Sequence, residues 1–575
     1  MCKLHIMTEQ APEFGNSSGS GSGQLVVLIG ILTTVICLVY LCLLDRAVVS
    51  TDRFSPIYRF LLIVYDFKTA WILAVATCLA AVWRNPKPAL NLAQALGEHP
   101  AIAAAVAIVL FSLGSIFVYH SYPFSMDEYA AVFQSKIFST GRLYAQLPPN
   151  YMDWLIVRGF NGGFLVGSHE TGRVIEGYWP GFALILSLFE FLRLPWLCNA
   201  TLAALALFLI HRLTVELTQD KRAAGWAILF ALASGAFAAN AISYYSMQAH
   251  MTLNLLFAYL LMRPSAFRAF GAGLAGSVAL ILHNPMPHTA FAMPWLLAFV
   301  VNRQQWRYVP PLVLGYAPGL ALGLGWLMFR SDIASGAYDI SAIRESARGA
   351  FTWPSAAIVN MRVASLVKMW VWACPCLFVF AALGFMRYRG STPARLLGYS
   401  AAFTFVAYLF VTFDQGHGWG YRYFHPAWGV IPILAGCAMA DGSKTHARLV
   451  SFAGAAAILG LIAIVPLQLF QIDQVILRHL ALIGPPQRPG NNVYFIHPRG
   501  GFYVADMVQI DPLLRDLDLK LVSRGTDLDD QMIKRNWPSA EKVASEPAYD
   551  QWYLGPTDLR GSIGDSDSPR SFVLK

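Results

Sequence analysis

Apolar runs long enough to cross a lipid bilayer recur along almost the whole chain, with short clusters of Lys and Arg between them. The first, residues 24–44, carries no charge and supplies the roughly 20 apolar residues needed to cross about 30 Å of hydrocarbon at 1.5 Å per residue. Further runs lie near residues 63–83, 100–119, 196–217, 223–241, 245–262, 269–283, 288–302, 308–329, 365–386, 396–413, 425–440 and 449–470. Charged residues make up only 13% of the chain, against about 25% in soluble domains, so a bilayer must be its main solvent. The pattern predicts an all-α polytopic membrane protein with about 13 transmembrane helices.

The net charge of +9 does not point to nucleic acid, because the cations sit in loops rather than on one face. Lys221 and Arg222, Arg263 and Arg268, Arg303 and Arg307, Arg387 to Arg395, and Lys444 and Arg448 fall in alternate short loops, which are expected to be cytoplasmic. The intervening loops 240–250, 283–288 and 414–425 contain only Arg422 as a formal cation and are expected outside. Residues 268–303 are too short for two full spans and read as a hairpin bent at 283–288. Residues 178–194 read as an interfacial helix, since one more crossing would reverse every later loop.

The resulting organisation is a cytoplasmic flexible N-terminus (1–23), two N-terminal spans (24–99), a transmembrane core (100–470) with a large outer loop (120–178), and an outer C-terminal segment (471–575). In that segment residues 492–497 resemble a buried strand and 511–524 are partly helical in pattern, suggesting a small α/β domain. No small-residue cleavage site follows the first run, so it reads as a retained span. The eight cysteines show neither a disulfide framework nor zinc spacing; Cys374 and Cys376 read as small fillers at a Pro-broken helix end.

The stretch Ser121-Tyr-Pro-Phe-Ser-Met-Asp127-Glu128-Tyr129 carries the densest chemistry, with two adjacent acids directly after the third span. An amphipathic helix candidate, 130–138, follows, then a turn at Gly141-Arg142-Leu-Tyr144. The acids read equally as a helix cap and complement to its positive end. Arg422, flanked by His417, Tyr421, Tyr423 and His425, reads either as an interface anchor or as a phosphate ligand. Lys136 and Arg142 are weaker phosphate candidates, since long cations on interfacial helices snorkel to headgroups. His250, His283 and His288 sit at the outer ends of apolar runs, as satisfied polar residues or as a lipid-phosphate path.

The acidic pair after an early span, Tyr129, the short helix and the Gly-Arg-Leu-Tyr turn resemble the first outer loop of the GT-C superfamily of membrane glycosyltransferases. The branch most similar is that of protein O-mannosyltransferases and lipid A aminoarabinose transferases. Gly177-Tyr-Trp-Pro-Gly181 is similar to the family's Pro/Gly-rich segment, and Gly420-Tyr-Arg-Tyr-Phe-His-Pro426 to its outer basic and aromatic loops. The resemblance runs from about residue 100 to the end; the first two spans are additions to the pattern. It implies transfer of a sugar from a polyprenyl-phosphate donor to a glycan, glycolipid or protein acceptor on the outer face, with inversion. Asp127 would be the general base, Glu128 would orient the acceptor or tune that base, and Arg422 would take the lipid phosphate, with Tyr129, Lys136, Arg142, His250, His288, His417 and His425 around it. The setting implied is the periplasmic side of a bacterial inner membrane. Some branches of the superfamily use a divalent metal and others none, and these residues do not decide between them.

Two other classes fit the layout: a transporter or flippase for an envelope precursor, and a non-catalytic scaffold. Few ionisable residues lie inside the spans, Asp66 and Lys68 being the main exceptions, which favours surface chemistry over alternating access. The loop alternation predicts that a reporter fused after Lys575 reads as extracytoplasmic; a cytoplasmic signal would break the assignment.

Overall fold

The computed structural model describes residues 19–334, 349, 351–440 and 447–556. Residues 1–18 of the expected N-terminal segment, residues 335–348 and 350, and Lys444 lie outside the described residues. The first helix begins at Gly19, so the glycine-rich residues 19–23 are its first turns rather than part of a linker.

The chain is a mostly helical, multi-pass membrane protein with a small mixed sheet near its C-terminal end. Among the described residues six helices are long and apolar enough to cross a bilayer: Gly23–Asp45, Pro56–Val82, Pro100–Phe117, Leu197–Thr218, Arg303–Ile333 and Ala447–Leu480. A seventh span results if Lys221–Leu232 and Gly235–Ile242, bent by 68°, are counted together. The remaining apolar helices are shorter; Ala266–Ile281 and Met286–Val301, of 16 residues each, reach only about 24 Å at 1.5 Å per residue. They meet at a bend that includes His283, and Gly181–Phe191, with 11 residues, is too short to cross alone. Leu28, Leu32, Ile36, Val106, Val109 and Leu320 are exposed along the spans, as lipid-facing side chains should be.

Small residues set the closest helix contacts. A Cβ at Gly315 would lie 2.3 Å from the Phe270 carbonyl oxygen, so only glycine lets the Arg303–Ile333 helix seat against Ala266–Ile281. That packing fixes the C-terminal end of the long helix, from which Arg330 and Trp326 hold the backbone carbonyls of Gly177 and Tyr178.

Asp66 lies about 15 Å from the Pro56 end of its helix, deeper in the membrane than its place near the end of an apolar run indicates. It pairs not with Lys68 but with Lys368, 2.6 Å away on the Ala356–Val371 helix, and also accepts the Trp372 indole N–H at 2.7 Å. Both charged side chains are 2% exposed or less. This helix stops at Val371 and the next starts at Leu377, with Cys374 and Cys376 free and buried in the break.

The C-terminal sheet has the order Asp518–Val522, Asn491–Ile496, Tyr549–Gly555, Glu541–Ser545, the first pair parallel and the others antiparallel. Residues 511–524 are therefore turn and strand, not helix. Leu519 and Leu521 alternate inward between more exposed neighbours, and parallel pairing buries that period of two. The helix of this region comes later, at Thr526–Asn536. The sheet shares one apolar core with the outer loop, in which Met126, Phe133, Trp154, Val493, Phe495 and Leu519 pack together.

Removing one member of the buried Asp66–Lys368 pair should cost about 3–5 kcal/mol, because the other charge is left unpaired in the membrane. Lys368→Met alone should lower the melting temperature of the detergent-purified protein strongly, and Asp66→Asn with Lys368→Met should recover most of the loss. A single variant that melts like the wild type would contradict the pairing.

Candidate active site

Ser125 starts the Met126–Ser139 helix through a capping box: its side chain pairs with the backbone of Glu128, whose carboxylate reaches back to the Ser125 N–H at 3.1 Å. The cap places Asp127 and Glu128 one residue apart on a helix, hence about 100° apart in direction. Ten of the helix's 14 residues are buried, so it is not the interfacial amphipathic helix its sequence suggests. The C-terminal domain covers its far side, where the Tyr129 hydroxyl donates to the Ile510 carbonyl and accepts the Ile510 N–H, both at 2.9 Å.

Asp127 faces a narrow pocket with Glu176, Tyr178, Tyr245, His283 and Arg422. One carboxylate oxygen accepts the Tyr178 hydroxyl and the other the Arg422 guanidinium, in a buried ion pair. Burial is the largest influence and pushes the Asp127 carboxyl up, but the Arg422 charge, the nearby His283 and the hydrogen bonds from Tyr178 and Arg422 together outweigh it and hold the group below its ordinary value. The cavity left is about 10 Å³, room for roughly one water molecule.

Arg422 is aimed by its own loop. Its Nε donates to the Gln415 carbonyl at 3.1 Å, and its backbone N–H to the Gln415 side chain at 2.8 Å. The rings of Tyr245 and Tyr423 lie 4.8 and 5.6 Å from the guanidinium carbon. Gly418 has a φ of +113°, and a Cβ there would meet Arg422 Cδ at 2.8 Å, so glycine is required both for the turn and for the arginine's path.

Glu128 points away from this pocket. Oε1 accepts the Tyr119 hydroxyl and the Tyr244 N–H, both at 2.9 Å, while Oε2 accepts the N–H and hydroxyl of Ser125. Burial raises its pKa to about 7, against the pull of those donors. The other predicted residues scatter. His425 bonds Gln248 at 3.1 Å, and His288 bonds Asn254 and Tyr316. His417 lies 3.2 Å from Asp506 of the C-terminal domain, and Lys136 lies 3.4 Å from Asp511. Arg142 is exposed, and Tyr129 is held by Ile510. His250 is buried beside the pocket residues Ser246 and Met247, without a hydrogen-bond partner for either nitrogen. Among the described residues, no three His, Cys, Asp or Glu side chains gather as a metal-ligand set.

Glu176, Tyr178 and Tyr245 are among the pocket residues to which sequence reasoning gave no role. Tyr178 stands inside the Gly177–Gly181 segment, and its ring lies against His283 with centroids 3.9 Å apart and planes tilted by 37°. Glu176 ends the strand Arg173–Glu176; its Oε1 has no hydrogen-bond partner, and burial raises its carboxyl pKa far above the ordinary value.

No protein-family profile and no curated protein matches the sequence. Among solved structures, the chain is similar to the crystal structure of ArnT from Cupriavidus metallidurans bound to undecaprenyl phosphate. The TM-score is 0.49 at 14% identity, over 79% of this chain and 98% of that one. The apo state of the same protein gives 0.48 at 14% identity. Neither value assigns a role to any residue.

Glu128→Gln should place an amide N–H₂ against donors that now meet a carboxylate, costing about 1–3 kcal/mol of stability. A lowered melting temperature in the purified protein checks this; an unchanged one would mean that the four contacts do not hold the helix start.

Proposed function

We propose that the chain is a membrane glycosyltransferase that moves a sugar from a polyprenyl-phosphate donor to an acceptor hydroxyl at the outer membrane face, with inversion. The observation that carries this reading is the buried Asp127–Arg422 pair, a base candidate and a phosphate ligand within bonding distance in one pocket. Thirteen crossings, with the shorter helices spanning a locally thin bundle, remain the topology that fits the loop charges.

In this mechanism the acceptor oxygen attacks the anomeric carbon while Asp127 takes its proton. The bond from that carbon to the phosphate oxygen breaks, its electron pair leaves with the lipid phosphate, and Arg422 meets the developing charge. The pocket is too small to admit a donor while Arg422 holds Asp127. A phosphate that draws Arg422 away both opens the pocket and removes the charge that depresses Asp127, so donor binding makes the base stronger. Tyr178 stays on the other carboxylate oxygen and keeps Asp127 oriented. Glu176, with an unpartnered oxygen toward the same space, is the group left to bind the sugar. Glu128 acts at one remove, by fixing the start of the helix that carries Asp127.

Asp127→Asn should reduce sugar transfer from a polyprenyl-phosphate donor by about 10²–10⁴-fold while the protein stays folded. Full activity in that variant would defeat the assignment. The pH dependence gives a second check. A base held below 3.8 stays ionised as the pH falls, so kcat/KM for free enzyme should not decline until below that value. In Arg422→Gln the acid limb of the residual activity should move to higher pH; an unmoved limb would show that Arg422 does not set the ionisation of Asp127.

A further inference from the structure

A second cavity, of about 310 Å³, lies on the other side of the Met126–Ser139 helix. Asp127 and Ala131 line the first pocket, whereas Tyr129, Val132, Phe133 and Lys136 line the second. At 100° per residue these two sets point about 170° apart, so the helix is a wall between two sites. The second cavity is also lined by Glu190 of the short Gly181–Phe191 helix, by Tyr244, and by Asp511, Asp516 and Lys520 of the C-terminal domain.

We propose that this cavity binds a saccharide unit of low net charge, and that it holds the part of a glycan acceptor remote from the reacting hydroxyl. The acceptor role rests on the transfer reading above; the saccharide site does not. The volume is at the lower end of the range of about 300–1,000 Å³ for small-molecule pockets. Glu190 and Lys520 face it with no hydrogen bond or ion pair to any described residue, which leaves one strong acceptor and one strong donor for a ligand. Hydroxyl groups, which both donate and accept, can satisfy the two together. An anion would satisfy only Lys520, and a cation only Glu190.

The charge balance supports the same class. Two lining cations, Lys136 and Lys520, stand against three lining acids, Glu190, Asp511 and Asp516, a difference of one. Asp511 is already engaged by Lys136 at 3.4 Å and Arg515 at 3.1 Å. Burial also pushes the Asp516 carboxyl up and the Lys520 ammonium down. The rings of Tyr129 and Phe133 offer an apolar wall to the C–H face of a sugar ring, and Tyr129 is fixed in place by its two bonds to Ile510. The Lys136 side chain remains 33% exposed, so the cavity reaches the surface.

The test uses the full chain in lipid nanodiscs, over an array of defined neutral, amino and phosphorylated oligosaccharides. Wild-type protein should bind neutral or amino sugars. Glu190→Gln with Lys520→Met should weaken that binding at least tenfold, and Asp127→Asn should leave it intact. If the double variant melts early, Glu190→Ala alone, at a partly exposed position, gives the same reading. No glycan binding above the double variant, or binding restricted to phosphorylated glycans and lost with Lys520→Met alone, would overturn the proposal. In the transfer assay the double variant should raise the acceptor KM about tenfold with kcat within twofold. Glycan binding that persists without any transfer would support the saccharide site and remove its acceptor role.

Discussion

The contact between Asp127 and Arg422 joins loops 295 residues apart in the chain, and much of the outer half of the molecule is arranged around it. An ion pair this deeply buried is stable only if the remaining donors and acceptors of both groups are matched. Tyr178 completes Asp127, and the Gln415 carbonyl and two tyrosine rings complete Arg422. Each of these partners depends on another element. Tyr178 is placed by carbonyl contacts from Trp326 and Arg330 at the end of a long span, and the Arg422 loop turns on Gly418.

The same pair accounts for the closed pocket. A free carboxylate and a free guanidinium there would be two unpaired buried charges, each costly. Pairing them removes that cost and leaves a contact that a phosphate can replace. The second cavity lies behind the helix, and the C-terminal domain contributes to it directly.

The membrane character, the short apolar helix before residue 194 and the strand at 491–496 were legible because each depends on local pattern: long apolar runs, a Trp-Pro-Gly start, a short β-rich run. Asp127 and Arg422 stood out because charge at the end of an apolar run is rare and conspicuous, and the fold brings the two into contact. Neighbours of Asp127 in sequence were misleading. Helical phase turns Glu128 to a backbone cap and Tyr129 to the C-terminal domain, and no run of letters displays that rotation. Of the three histidines at outer helix ends only His283 lines the pocket, since His288 is engaged by Asn254 and Tyr316. Glu176 and Tyr178 reach the site through tertiary contacts, and Lys368 meets Asp66 across 302 positions; single-residue spacing carries no record of such pairings.

The central claim is that Arg422 is shared between Asp127 and the donor phosphate. Its most direct test is the affinity of the purified protein for a sugar-free polyprenyl phosphate, measured for the wild type, Asp127→Asn and Arg422→Met. The account predicts tighter binding in Asp127→Asn, where the arginine is released from its internal partner, and loss of binding in Arg422→Met. Unchanged or weaker binding in Asp127→Asn together with wild-type affinity in Arg422→Met would contradict it.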